Sequence, residues 1–307
     1  MSAARRIDVH AHLVPPGHPE WLRTQGVEEQ LPPWSPDEAL AMMDRNDIAA
    51  AVLSVSEPGV HFGDDATARA KARELNTYTA EVVAGAPGRF GFFATLTLPD
   101  VAGAIAEARH ALDELQADGV LLLSNVEGRY LGDEEFVPLL AELDKRAATV
   151  FVHPACLPGA PALPGLPPAA VDFPFETTRT AVSLAQHGRL EQFENLKFIL
   201  PHGGGFLPYQ AFRVAPFLAK DGNPASAMAV LRRFYFDTGL CTTPAALPSL
   251  LGFADPERVL FGSDYPFVPE FAIGLFDSLA QGYPMDDDRR SRLARDNAAA
   301  LFPRLAG

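Results

Sequence analysis

Eight short apolar or β-branched runs recur along the chain, separated by amphipathic segments. They cover Arg6–Val9, Ala50–Val55, Phe90–Leu98, Gly119–Leu123, Thr149–Val152, Lys197–Leu200, Phe234–Asp237 and Arg258–Phe261. Continuous apolarity, rather than strict alternation, predicts parallel strands buried on both faces. The segments between them carry helix signals. "SPDEALAMMDRND" opens with Ser35 as an N-cap, Pro36 at the first helical position and Asp37 and Glu38 in the first turn. Segments beginning at Asp100, Gly132, Phe175 and Asp286 read as helices too, and Pro138 falls early enough in its helix to be tolerated.

Eight strand-then-helix units predict an α/β fold, a (β/α)8 TIM barrel. A doubly wound sheet is the competitor, but no glycine-rich phosphate loop follows the first strand. Residues 1–307 are expected to form one domain, since such barrels commonly run to about 250 residues or more. Two Pro/Gly-rich stretches, 12–34 and 157–174, each follow the carboxyl end of an expected strand. Barrel enzymes build their active sites there, so both are expected to be functional loops.

Composition narrows the partners. Hydrophobic residues make up 48% of the chain, enough for a substantial core. The formal net charge of −14 argues against nucleic acid or an anionic membrane surface and leaves a small-molecule substrate. An anionic substrate stays open, because a few buried cations can dominate a pocket locally. Cys156 and Cys241 are too few for a disulfide framework and fit a reducing cytoplasm. "MSAARRIDVHAH" lacks the apolar stretch of a signal peptide, and no window approaches the about 18 apolar residues of a membrane span. A soluble, cytoplasmic protein is expected.

The chemistry begins in "RRIDVHAHLVPP". His10 and His12 stand two apart, so in an extended segment both point to the same side. A metal chelate, a hydrogen-bonded core pair and chance all fit that pair alone. His153 ends the fifth run, His202 the sixth and Asp264 the eighth, which brings five polar groups to one rim. Neutral imidazole nitrogens and a carboxylate oxygen suit zinc and similar divalent ions, at roughly 2.0–2.2 Å. Taken singly, His153 could be a satisfied core histidine, His202 the cap of a glycine turn and Asp264 an N-cap. Their shared location argues against all of these at once. His18 and His61 in loops, and His110 and His187 in helices, are expected at the surface, and Cys156 is read as structural.

"DVHAH", "FVHPA", "LPHGGG" and "FGSDYPF", in this order, resemble the amidohydrolase superfamily. More narrowly, they are similar to the branch containing aminocarboxymuconate-semialdehyde decarboxylase and γ-resorcylate decarboxylase. "GRLEQFENLKFILPHGGGFLP" and the terminal "DNAAALF" extend the match. The resemblance implies that His10, His12, His153 and Asp264 hold one divalent ion, zinc first and manganese second. It implies that His202 lies outside the coordination sphere as an acid/base group, with Asp264 sharing the proton handling. Arg213, eleven residues after His202, would reach a neighbouring subunit's site and bind substrate carboxylate, which implies a homodimer. The alternative is a surface arginine on a helix. The first long loop holds Glu28 and Glu29 where the resemblance would put a second substrate arginine, and Arg23 is out of register. Aminocarboxymuconate semialdehyde is therefore not the expected substrate.

The implied function is a metal-dependent decarboxylase of a small unsaturated or aromatic carboxylic acid. The alternative is a hydrolase of an amide, lactone or related carbonyl compound using metal-activated water, with Asp264 as base and His202 stabilising the oxyanion. A non-catalytic metal-binding barrel is the third reading. The ligand set does not separate the two reactions. Phe173, Phe175, Phe206 or Phe267 is expected to form an apolar wall, on loop position alone.

Overall fold

The computed structural model describes residues 5–28, 30–161 and 163–307, so Glu29 of the first loop lies outside the described residues. Eight parallel strands form one sheet in chain order. They are β1 (Arg6–His12), β2 (Ile48–Ser54), β3 (Phe90–Thr95), β4 (Gly119–Leu123), β5 (Thr149–His153), β6 (Lys197–Leu200), β7 (Tyr235–Asp237) and β8 (Val259–Leu260). The sheet curls back on itself. Val9 N–H donates to the Phe261 carbonyl at 3.0 Å and His12 N–H to that of Tyr265 at 2.7 Å, joining β1 to the segment after β8. With helices between successive strands, this is a (β/α)8 barrel.

Strand ends differ from the sequence reading for local reasons. β3 stops at Thr95 instead of Leu98, because a turn from Thr97 to Asp100 takes over before Pro99, which has no N–H to offer a ladder. β8 is short because the Gly262 and Ser263 N–H groups turn to the side chains of Thr238 and Asp8. A two-stranded hairpin, Asn125–Val126 with Arg129–Tyr130, was not foreseen. Its turn residues Glu127 and Gly128 both have positive φ, 51° and 83°, as the favoured two-residue hairpin turn requires.

The helix signals at Ser35, Asp100 and Asp286 acted as anticipated, whereas the helix read from Gly132 begins at Val137 and that read from Phe175 begins at Asp172. Ser35 accepts from the Glu38 N–H and Asp100 from that of Gly103, a contact that contributes about 1 kcal/mol each. Their ends were less regular: the helix from Val101 passes into a wide turn at His110–Glu114, and the terminal segment widens in the same way at Arg292–Asp296. The two expected loops also carry structure. A helix, His18–Thr24, lies in the first, and the helix Asp172–Gln186 starts inside the second. His18, expected at the surface, is buried, because its ring stacks on Trp21 at 5.7 Å.

The barrel interior is filled, not hollow. Phe93 of β3 and Phe151 of β5 stack 5.2 Å apart, and Phe302 from the chain's end meets Phe93 at 5.8 Å. Phe302 and Leu305 join the same inner cluster as Ile7, Val9 and Leu260. This stacked floor lies directly beneath the histidines of β1.

Candidate metal centre

Alternation along β1 breaks at one point, and that break builds the site. Ile7 and Val9 belong to the inner cluster, yet Ala11 and Leu13 pack with the outer one. Strict alternation would have sent His10 and His12 outward. The β1–β2 register shifts between Asp8 and Ala11, which turns both rings into the barrel mouth. Asp8 stabilises the irregularity: its Oδ1 accepts from the N–H of His10 and of Ser263, each at 3.0 Å. Burial pushes the Asp8 carboxyl up to about 6, against those hydrogen bonds.

The candidate donors converge. His10 Nε2 and His12 Nε2 are 3.1 Å apart, and Asp264 Oδ1 lies 3.2 Å from each. The His153 ring is 5.0 Å from that of His12, and ligand atoms of His10, His12 and His153 fall within 4.8 Å of one another. His10, His202 and Asp264 meet the same limit. His202 Nε2 approaches the other Asp264 oxygen at 3.3 Å. All five residues of the sequence reading thus come together, with the carboxylate of Asp264 between His202 and the β1 pair.

The rear nitrogens of three rings are engaged elsewhere. His10 Nδ1 lies 2.9 Å from Asp237 Oδ2. His12 Nδ1 meets the Ser54 hydroxyl at 3.0 Å, and His153 Nδ1 meets the Pro154 carbonyl at 2.8 Å. The Ser54 and Pro154 carbonyls accept, which puts the ring proton of His12 and His153 on Nδ1 and leaves Nε2 for a cation, whereas His10 Nδ1 and Asp237 Oδ2 meet as a close charge contact without hydrogen-bond alignment. Burial opposes charge on His10, yet the Asp237 and Asp264 carboxylates outweigh it and hold its pKa up to about 10. Burial pushes His12 and His153 the other way, down, so both rings stay neutral donors. For Asp264, burial is outweighed by His10, and its carboxyl stays well below the usual range.

Two buried carboxylates without enough positive charge would cost several kcal/mol each. Among the described residues, no lysine or arginine bonds to His10, His12, His202, Asp237 or Asp264. The donor set therefore fits a divalent cation.

His202 and Asp264 both sit in left-handed backbone, at φ 54° and 61°. Such conformations cost non-glycine residues about 1–3 kcal/mol and persist only where the surroundings impose them. Asp264 N–H donates to the His10 carbonyl at 2.7 Å, and His202 N–H to Asp237 Oδ1 at 3.0 Å. The glycine run after His202 has a steric reason: at Gly204, with φ +78°, a Cβ would stand 2.8 Å from the Phe236 ring.

The expected wall divides. The Phe267 ring lies 5.2 Å from His12 and Phe173 6.1 Å from His153, whereas Phe175 and Phe206 pair with each other at the surface. Beside the site, a cavity of about 210 Å³ is lined by Thr95, Leu121, Leu123, Ala155 and Cys156. Cys156 is exposed and free. Arg213 is exposed on the helix Leu207–Leu218 and does not enter its own chain's site.

Sequence reasoning missed Asp237, Asp8 and Ser54. Asp237 carried the same signal as His153: it ends an apolar run at the active rim. Asp8 and Ser54 had no such signal, since their roles depend on the shifted register.

The amidohydrolase family model matches residues 7–304. The 6-methylsalicylic acid decarboxylase acuB of Aspergillus aculeatus is 38% identical, over 98% of this chain and 96% of its own. The 2-amino-3-carboxymuconate-6-semialdehyde decarboxylase of Dictyostelium discoideum is 29% identical, over 85% of this chain and 82% of its own. A solved structure described as an amidohydrolase II superposes with a TM-score of 0.90 at 29% identity, covering 96% of this chain and 99% of that one. The chain belongs to the amidohydrolase family. It is a metal-dependent enzyme, on the decarboxylase side of that superfamily.

Proposed function

We propose that this enzyme is a zinc-dependent decarboxylase of small 2-hydroxybenzoic acids, acting as a homodimer in the cytoplasm. The observation that carries this reading is the meeting of His10 Nε2, His12 Nε2 and Asp264 Oδ1 within 3.2 Å at the barrel mouth. The 38% identity to a decarboxylase of 6-methylsalicylic acid supports the substrate class. His10, His12, His153 and Asp264 hold the ion. A nitrogen-rich donor set with one carboxylate favours zinc, and manganese is the alternative.

A divalent ion held by these residues would supply positive charge to orient an acidic substrate. His202, 3.3 Å from Asp264, delivers a proton to the ring carbon bearing the carboxyl group. The bond to the carboxyl carbon then breaks, its electron pair returns to the ring, and CO₂ leaves. Water restores the proton to His202. Phe173 and Phe267 border the ring's apolar side.

Arg213 serves the partner's site in this reading. Its guanidinium makes no ion pair among the described residues, and Tyr209, Phe212 and Phe217 on the same helix are 77%, 81% and 88% exposed. Apolar exposure on that scale marks an interaction surface. Residues 1–307 act as one domain, supported by the packing of Phe302 and Leu305 into the cluster that Ile7 opens. No described helix is long and apolar enough to cross a membrane, and both cysteines are free.

The test is direct. Metal-free protein is expected to release no CO₂ from 6-methylsalicylate or salicylate, and to gain that activity on adding zinc or manganese. Acid release from lactones or amides, with no CO₂ from any hydroxybenzoic acid, would replace the decarboxylase by the hydrolase.

A further inference from the structure

We propose that Asp237 is a positioning residue that sets the orientation of the His10 imidazole and of the His202 backbone together. It ends β7 and its side chain is fully buried. Its two oxygens face different elements. Oδ2 lies 2.9 Å from His10 Nδ1, while Oδ1 accepts from the N–H of His202 at 3.0 Å and of Gly239 at 2.8 Å. One carboxylate therefore stands behind a metal-facing ring and also holds His202 in its left-handed backbone.

The other two rings lack a partner of this kind. His12 is backed by the Ser54 hydroxyl and carbonyl, and His153 by the Pro154 carbonyl. Among the described residues, only His10 of the three rings is backed by a charge, and a carboxylate behind an imidazole both fixes the tautomer and raises the donor strength of the far nitrogen. The close approach is built in. A Cβ at Gly262 would lie 2.9 Å from His10 Cβ and 3.0 Å from Asp237 Cβ, so glycine there lets the two side chains and β8 come together. With Asp264, Asp237 brings two carboxylates to the His10 ring, a charge that one divalent ion balances.

This inference rests on the reading of His10 as a metal ligand. The experiment is a titration of metal-free protein with zinc against a chromophoric chelator, on wild type, Asp237→Asn and Ser54→Ala. The asparagine keeps an oxygen for the His202 and Gly239 N–H groups and removes the charge. Asp237→Asn is expected to bind zinc roughly 10–100-fold more weakly, and Ser54→Ala to lose less, since the Ser54 carbonyl remains. Unchanged zinc affinity in a folded Asp237→Asn overturns the inference and leaves the proposed function standing. A wild type that binds neither zinc nor, in a parallel titration, manganese overturns both. Should Asp237→Asn not fold, the zinc-loaded wild type with ¹⁵N-labelled histidine carries the test. A His10 ring protonated and hydrogen-bonded at Nδ1 supports the role, and one bearing its proton at Nε2 ends it.

Discussion

His202 and Asp264 show how much single residues carry at this barrel mouth. Asp264 faces the β1 histidines with one oxygen and His202 with the other. His202 Nε2 approaches only the far oxygen of that carboxylate, whereas His10 and His12 crowd the near one. Replacing His202 with alanine should therefore leave the ion bound while decarboxylation falls by about 100-fold or more, the usual scale of an acid/base group. Metal analysis beside turnover measurement checks this, and a metal-free His202→Ala protein would place the ring among the ligands. At this scale the sequence was legible wherever a polar residue ended an apolar run, which located His153, His202 and Asp264. Asp237 meets the same criterion, but its place behind His10 exists only in the folded barrel.

Elements explain where those residues point. The register shift in β1 rotates two histidines from the outer to the inner face, and a one-residue slip in a strand always exchanges faces. No count along "RIDVHAH" reveals it, because the shift is stabilised by Ser263 from the far end of the chain through Asp8. The first long loop gives a second case. Its helix His18–Thr24 buries the His18 ring, and burial, with Lys71 nearby, pushes its pKa down to about 4 from 6.5. The folded state resists that proton while the unfolded chain accepts it, so stability should fall as pH drops from about 6.5 towards 4. Urea midpoints of metal-free wild type and His18→Phe at pH 7 and pH 5 test the point. The variant should lose less on acidification, and equal losses would remove His18 from the acid sensitivity.

Across the molecule, the barrel buries its chemistry and leaves the helix Leu207–Leu218 conspicuously apolar. Tyr209, Phe212 and Phe217 stand out from Leu207–Leu218 beside Arg213, on a protein whose net charge of −14 otherwise favours dispersal in water. If that face joins two copies, Phe212→Asp should shift the sedimentation of the protein from dimer to monomer, and activity should fall with it. Arg213→Ala should raise KM for the carboxylate substrate while leaving the dimer intact. A Phe212→Asp protein that sediments as wild type would detach the helix from assembly.

The amino-acid sequence by itself determined the barrel and its active rim. Eight apolar runs interleaved with helix signals admit few other arrangements, and parallel strands put all their carboxyl ends on one side. Tertiary structure decided which face of β1 the histidines occupy, what backs each ring and which side chains stay outside the site. Those outcomes depend on contacts such as Asp8 with Ser263 and His10 with Asp237, whose partners are separated by more than two hundred residues. Periodicity reports the environment of a segment, whereas such contacts exist only after the cylinder closes.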